Sequence, residues 1–197
     1  MFKLLSATVL VMLFTIMTGG LLHSQDTEVE LAVGVLTSNN ILDYNDSIFN
    51  EVFPEEDVTS TDTHSAGFAI SYRTRVRRNL KAGGQLSYQR KDKEFIRDNV
   101  KIGEGTVDFF SLVATSNYYW LENDRWGIFT GLGAGFSYST EDQFGFSDEE
   151  RSRTETDLFL AWQVHPVGIE FGRDFRFITN AGFGNQGVVS LGLKYRF

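Results

Sequence analysis

The chain closes on "LGLKYRF", Leu191 to Phe197, and this stretch decides how the rest is read. Leu191, Leu193, Tyr195 and Phe197 are apolar, and Gly192, Lys194 and Arg196 stand between them. Successive side chains of a β-strand point to opposite faces, so strict alternation puts one face in an oily medium and the other in a polar one.

Moving outward from the C-terminus, the same period of two recurs along the chain. Phe175, Phe177, Thr179, Ala181 and Phe183 form one set; Leu158, Leu160, Trp162 and Val164 form another. Pro166 interrupts the latter, and Val167, Ile169 and Phe171 take over the apolar parity, which predicts a β-bulge near His165–Pro166. Upstream, Trp126, Ile128, Thr130, Leu132, Ala134, Phe136 and Tyr138 alternate largely with glycine. Phe110 to Trp120, Leu80 to Tyr88, Ala66 to Val76 and Val29 to Val35 complete the series, with Val113 breaking the polar face of its segment. Several segments reach about 10 residues, the length a tilted strand needs to cross a bilayer.

Composition agrees with sheet. Gly is 19, Phe 18 and Pro only 2 of 197 residues. With no Cys, the chain has neither a disulfide framework nor a thiolate site. A net charge of -8, without a continuous basic stripe, argues against nucleic acid as a partner. At the N-terminus Lys3 precedes an apolar run from Leu4 to Leu22, followed by "HSQD". This is the layout of a secretory signal peptide over residues 1–24, leaving residues 25–197 as the mature domain. The competing reading is an uncleaved membrane helix, since the run is nearly long enough to span.

The connections sort by length. Arg78-Asn79, Glu122 to Arg125, Gly172 to Asp174 and Gly184 to Gln186 are short, whereas Ser38 to His64, Arg90 to Glu104 and Glu141 to Arg153 are long. In hydrocarbon every backbone polar group must be paired, so strands survive there only as a closed barrel. The expected fold is an all-β, closed, antiparallel, eight-stranded up-and-down transmembrane barrel. Both termini fall on the short-turn side, which in this layout is the periplasm. The inward face is expected to carry Glu28, Glu30, Arg73, Arg75, Lys81, Gln85, Glu155, Asp157, Arg176, Lys194 and Arg196 as a polar network plugging a narrow lumen. Lys194 and Arg196 are expected to meet Glu28 and Glu30 of the first strand. Inward glycines at 127, 131, 133 and 135 are expected to leave room for arginine side chains opposite. Tyr118, Trp120 and Trp126 flank a short turn, where interfacial aromatics belong.

Three passages carry a family resemblance: "SNYYWLENDRWGIFTGLGAGFSY", "HPVGIEFGRDFRFITNAG" and the closing "LGLKYRF". On them the chain resembles the small OmpA/OmpX-like, porin-like outer-membrane β-barrel proteins of Gram-negative bacteria. The resemblance implies a cell-surface barrel and a C-terminal assembly signal, Leu191, Leu193, Tyr195 and Phe197, read by the barrel-insertion machinery. It implies structural or adhesion-like roles and names no particular activity.

Chemistry is sparse. His23, His64 and His165 are the only histidines, His165 being expected toward the periplasmic side. His64 with Asp62 and Ser65 is the sole local base–nucleophile grouping, and a solvated loop explains it. No enzyme, cofactor or metal site is expected. The first long connection carries Asp43, Asp46, Glu51, Glu55, Glu56, Asp57 and Asp62; its "DYNDSI" matches a calcium loop only in part. Phe49, Val52 and Phe53 there are expected to pack or to contact an extracellular ligand. Arg90, Lys91, Lys93, Arg97 and Lys101 are expected to meet lipopolysaccharide at the outer leaflet. The function expected is that of a monomeric outer-membrane barrel with a structural or surface-interaction role. A narrow channel for small solutes and a secreted soluble barrel for an apolar ligand are the alternatives.

Overall fold

A computed structural model describes residues 26–35, 58–62, 66–97, 100–144 and 153–197. The expected signal peptide, most of the acidic first connection and His64 lie outside the described residues. The strands are β1 (Thr27–Val35), β2 (Val58–Asp62), β3 (Gly67–Arg77), β4 (Leu80–Arg97), β5 (Val100–Glu122), β6 (Trp126–Phe144), β7 (Arg153–Gly172), β8 (Phe175–Gly184) and β9 (Val189–Arg196). Each pairs antiparallel with its sequence neighbours, except that β2 pairs with β4 and β1 pairs with both β3 and β9. The β1–β9 and β4–β5 ladders close the ring, so eight staves make a barrel and β2 is a short addition on the far end of β4. Closure leaves no sheet edge along the ring.

The alternation sorts the two faces as the sequence predicts. Leu31, Phe68, Ile70, Leu112, Phe136, Leu158, Leu160, Phe177, Leu191 and Leu193 all point outward and are exposed. Glu28, Glu30, Arg73, Lys81, Gln85, Glu170, Arg176 and Lys194 point inward and are almost wholly buried. A soluble protein puts these classes the other way round. The expected bulge is present: the β7–β8 register shifts between Val164 and Val167, and the β6–β7 register between Phe129 and Gly131. It is held from the outer face, where Trp120 Nε1 donates to Thr130 Oγ1 at 2.9 Å and Thr130 Oγ1 donates to the Pro166 carbonyl at 2.9 Å.

The wall is taller on one side than expected. The passage Arg90–Glu104, read from sequence as a loop, is strand at every described position, and the described ends of Glu141–Arg153 are strand as well. β4 and β5 pair as far as Arg97 with Val100, and β6 and β7 as far as Gln143 with Arg153. β5 has 23 residues and β7 has 20, against 8 in β9 and 9 in β1. Since about 9–11 tilted residues cross a bilayer, roughly half of each long strand stands beyond the apolar belt. The turns after β3, β5 and β7 and both described chain ends meet at the opposite end, whereas the short β8–β9 turn lies on the tall side beside Val35: Tyr119 N donates to the Asn79 carbonyl, Gly172 N to Arg125, Arg196 N to Asp174 and Phe197 N to Thr27, but Val188 N to Val35.

Candidate functional site: the charged lumen

The register alone would place like charges side by side. Arg176 is directly opposite Lys194, and Arg75 opposite Lys81. Such neighbours repel. What resolves them is a carboxylate reaching in from another stave. Glu170 of β7 takes both Lys194, at 2.5 Å, and Arg176. Glu122 at the end of β5 takes Arg75 at 2.7 Å and Lys81 at 2.9 Å. Glu28 of β1 meets Lys81 at 2.7 Å, Lys194 at 3.2 Å and Arg73 at 3.7 Å, while Glu30 binds Arg73 at 2.7 Å. Glu28, Glu122 and Lys194 each contact two or more other staves, so the network ties the ring across its interior.

Aromatic rings and neutral groups complete it. Tyr119 lies inside, its hydroxyl donating to Glu170 at 3.2 Å and accepting from Lys194 at 3.0 Å. The Lys81 ammonium stands 4.5 Å from the Tyr119 ring centroid and Lys194 5.3 Å from that of Phe129, positions favoured by the ring quadrupole. Toward the short-turn end, Arg75 binds Asp26 at 2.6 Å and Arg196 binds Glu122 at 3.5 Å and Asp26 at 3.9 Å, all partly exposed. Next above the charge cluster come amides and hydroxyls: Gln85 bonds Ser71 and Gln163, Asn180 bonds Ser190, and Arg73 Nε reaches Thr115. Val113, Phe109 and Val107 are buried on this inward face. Charges taken from water need such partners, because a lone buried charge is prohibitive.

Of the residues expected in the lumen, Glu28, Glu30, Arg73, Lys81, Gln85, Arg176 and Lys194 converge there, with Arg75 and Arg196 at its rim. Asp157 does not join: it pairs with inward Ser139, but at a height where it is exposed. The side chain of Glu155 lies outside the described residues. Arg196 meets Asp26 and Glu122, not Glu28 or Glu30, because it sits nearer the open end. The glycines make room for other groups than arginine. A Cβ at Gly127 would stand 2.6 Å from Glu170 Cγ, and one at Gly133 would stand 2.8 Å from Gln163 Cγ and Val113 Cγ1. His165 is buried at mid-wall opposite Gly131, away from the expected periplasmic rim.

Sequence reasoning passed over Glu170, Tyr119, Glu122 and Asp26. Glu170 was legible, since the parity slip at Pro166 makes it inward between Ile169 and Phe171. Glu122 was assigned to a turn, but β5 runs through it and the turn is Asn123–Arg125. On the outer face, Tyr118, Trp120 and Trp126 are exposed, with Tyr118 and Trp120 edge-to-face at 5.1 Å and Trp126 against Phe171 at 4.5 Å. Leu191, Leu193, Tyr195 and Phe197 line the outer face too. Lys91 is buried on the inward face, so it cannot take part in a basic outer surface with Arg90. The side chains of Lys93, Arg97 and Lys101 lie outside the described residues. Among the described residues no cluster of His, Asp and Glu suited to a metal ion occurs.

No protein-family model and no curated protein matches the sequence. Solved structures do. The chain is similar to Ail, the attachment invasion locus protein of Yersinia pestis, at 14% identity and a TM-score of 0.48, covering 88% of this chain and 99% of that one. Ail in complex with the heparin analogue sucrose octasulfate matches at 16% identity and a TM-score of 0.46, over 87% and 99% of the two chains. The N-terminal β-barrel domain of Pseudomonas aeruginosa OprF matches at 12% identity and a TM-score of 0.41, over 88% and 98%. At such identities the likeness concerns the course of the chain, and residue roles do not carry across.

Proposed function

We infer that the protein is an integral outer-membrane barrel of a Gram-negative bacterium, its termini and the turns after β3, β5 and β7 in the periplasm. Its lumen is closed by the charge network, and its role is structural or interactive at the cell surface. The observation that carries this is the inversion of the usual polarity. A closed barrel with an apolar outer belt and an ion-paired interior gains free energy only where its outside meets hydrocarbon. The tall wall formed by β4 to β7 then rises on the extracellular side, where it and the long connections are placed to meet a ligand or a neighbouring cell. Tyr118, Trp120 and Trp126 serve as interfacial anchors, the closing strand is the part offered to the insertion machinery, and the barrel works as a monomer among lipid and lipopolysaccharide. Cell fractionation tests the reading. The protein should sediment with outer membrane and resist carbonate extraction. Recovery as a free periplasmic protein would defeat it.

A further inference from the structure

The short-turn end carries a set of cations that the lumen does not use. Arg77 and Arg78 lie at the β3–β4 turn, Arg125 at the β5–β6 turn and Arg173 at the β7–β8 turn, all exposed. None has a hydrogen-bonding or ion-pair partner for its guanidinium among the described residues. That is unlike Arg73, Arg75, Arg176 and Arg196, each of which is paired. The carboxylates of the same end do not balance them. Asp26 and Glu122 are taken up by Arg75 and Arg196, leaving Asp124 and Asp174 exposed on the turns. Four unpaired arginines against two unpaired aspartates leave these turns with a small positive excess in a protein whose net charge is -8.

The ring is held in place from within. The buried Arg176 donates to the carbonyls of Asn123 at 2.9 Å, Asp124 at 3.3 Å and Arg173 at 2.9 Å, fastening two turns together. Gly172 N to the Arg125 carbonyl, at 2.9 Å, adds a direct link between them. Arg75 donates to the carbonyl of Arg78 in the same way. The inner arginines therefore fix the backbone from which the outer ones project. Each outer arginine also stands within two residues of an exposed apolar side chain of the belt: Val76, Trp126 or Phe171. At a bilayer boundary that spacing puts an apolar side chain among acyl chains and a guanidinium at phosphate depth.

The geometry points to a binding surface for anionic phospholipid headgroups in the periplasmic leaflet, formed by Arg77, Arg78, Arg125 and Arg173. This rests on the membrane reading above. Guanidinium matches phosphate bidentately, and basic side chains at an anionic surface favour it cumulatively.

The test uses the refolded mature chain in phosphatidylcholine vesicles containing acyl-brominated phosphatidylglycerol, with tryptophan quenching as readout. Trp126 adjoins Arg125, so headgroup capture brings bromine to it. The expected relative binding constant for phosphatidylglycerol over phosphatidylcholine is about five. It should fall to about one in the variant carrying Arg77→Gln, Arg78→Gln, Arg125→Gln and Arg173→Gln, and persist when all are lysine. High salt should erase the preference of the wild type, a control that does not depend on any variant folding. Quenching by brominated phosphatidylcholine with no preference for phosphatidylglycerol would overturn the inference and leave the barrel reading intact. So would a preference that survives the glutamine variant. No quenching by either lipid would remove the membrane reading itself.

Discussion

Glu170→Gln is the most informative single change. The carboxylate of Glu170 is buried and serves Lys194 at 2.5 Å, Arg176, and the Tyr119 hydroxyl at 3.2 Å. Glutamine keeps the volume, so the fit against Gly127 is preserved while the charge and one of the two acceptor oxygens are lost. Arg176 then retains only carbonyl acceptors, those of Asn123, Asp124 and Arg173. Lys194 retains Glu28 at 3.2 Å. Removing one partner of a buried pair costs about 3–5 kcal/mol because the other charge is stranded. The surviving acceptors place this case near about 3 kcal/mol. Urea unfolding in lipid vesicles, read by heat-modifiable gel migration, measures it. With a slope of about 1–3 kcal/mol per molar, the midpoint should fall by roughly 1–3 M. Adding Lys194→Met should recover about 1 kcal/mol or more, since it removes one cation from a cluster left short of a carboxylate and frees Glu28 for Lys81 and Arg73. A loss below about 0.5 kcal/mol, the range of solvated surface pairs, would refute a dry, interlocked lumen.

Four further outcomes follow from the same geometry. Leu112→Arg puts a charge on the exposed outer face and should cost about 2–4 kcal/mol in vesicles if it lies near mid-bilayer; the same assay checks it, and neutrality would count against a lipid-facing belt. Gly127→Val drives a side chain into Glu170 and should destabilise by about 1–3 kcal/mol, measured by urea midpoint. Thr130→Val removes the link between Trp120 and Pro166 and should cost about 1 kcal/mol, with local amide exchange faster around the bulge. Deleting Phe197, whose amide bonds the Thr27 carbonyl at 2.8 Å, should lower the yield of assembled barrel in cells, scored by heat-modifiable migration; normal assembly would disprove a role for the terminal residue.

Much of the architecture was legible because a strand's period of two is a local property. Leu191 to Phe197 reads alone, and the slip at Pro166 announces its own bulge. The tall wall was hidden by composition. "RKDKEFIR", Arg90 to Arg97, is polar enough to pass for a loop, yet its backbone is paired on both sides, to β5 throughout and to β2 at its end. Cross-strand pairing outweighs such weak local preferences. Which residues face inward could be counted from alternation, but not which of them meet. Arg176 beside Lys194 looks repulsive until Glu170 arrives from the neighbouring β7, and that depends on the β7–β8 register set by the bulge at Pro166. Alternation puts Tyr119 inward between Tyr118 and Trp120, but nothing local shows that its hydroxyl joins the charge cluster through Glu170 and Lys194.

Planar-bilayer recording tests the central claim most directly. On the proposed reading the linked ion pairs of Glu28, Glu170, Arg73, Lys81, Arg176 and Lys194 close the lumen to water, so the inserted protein should add no steady current above the bare bilayer. Long-lived, ohmic openings of the wild-type barrel would contradict the account.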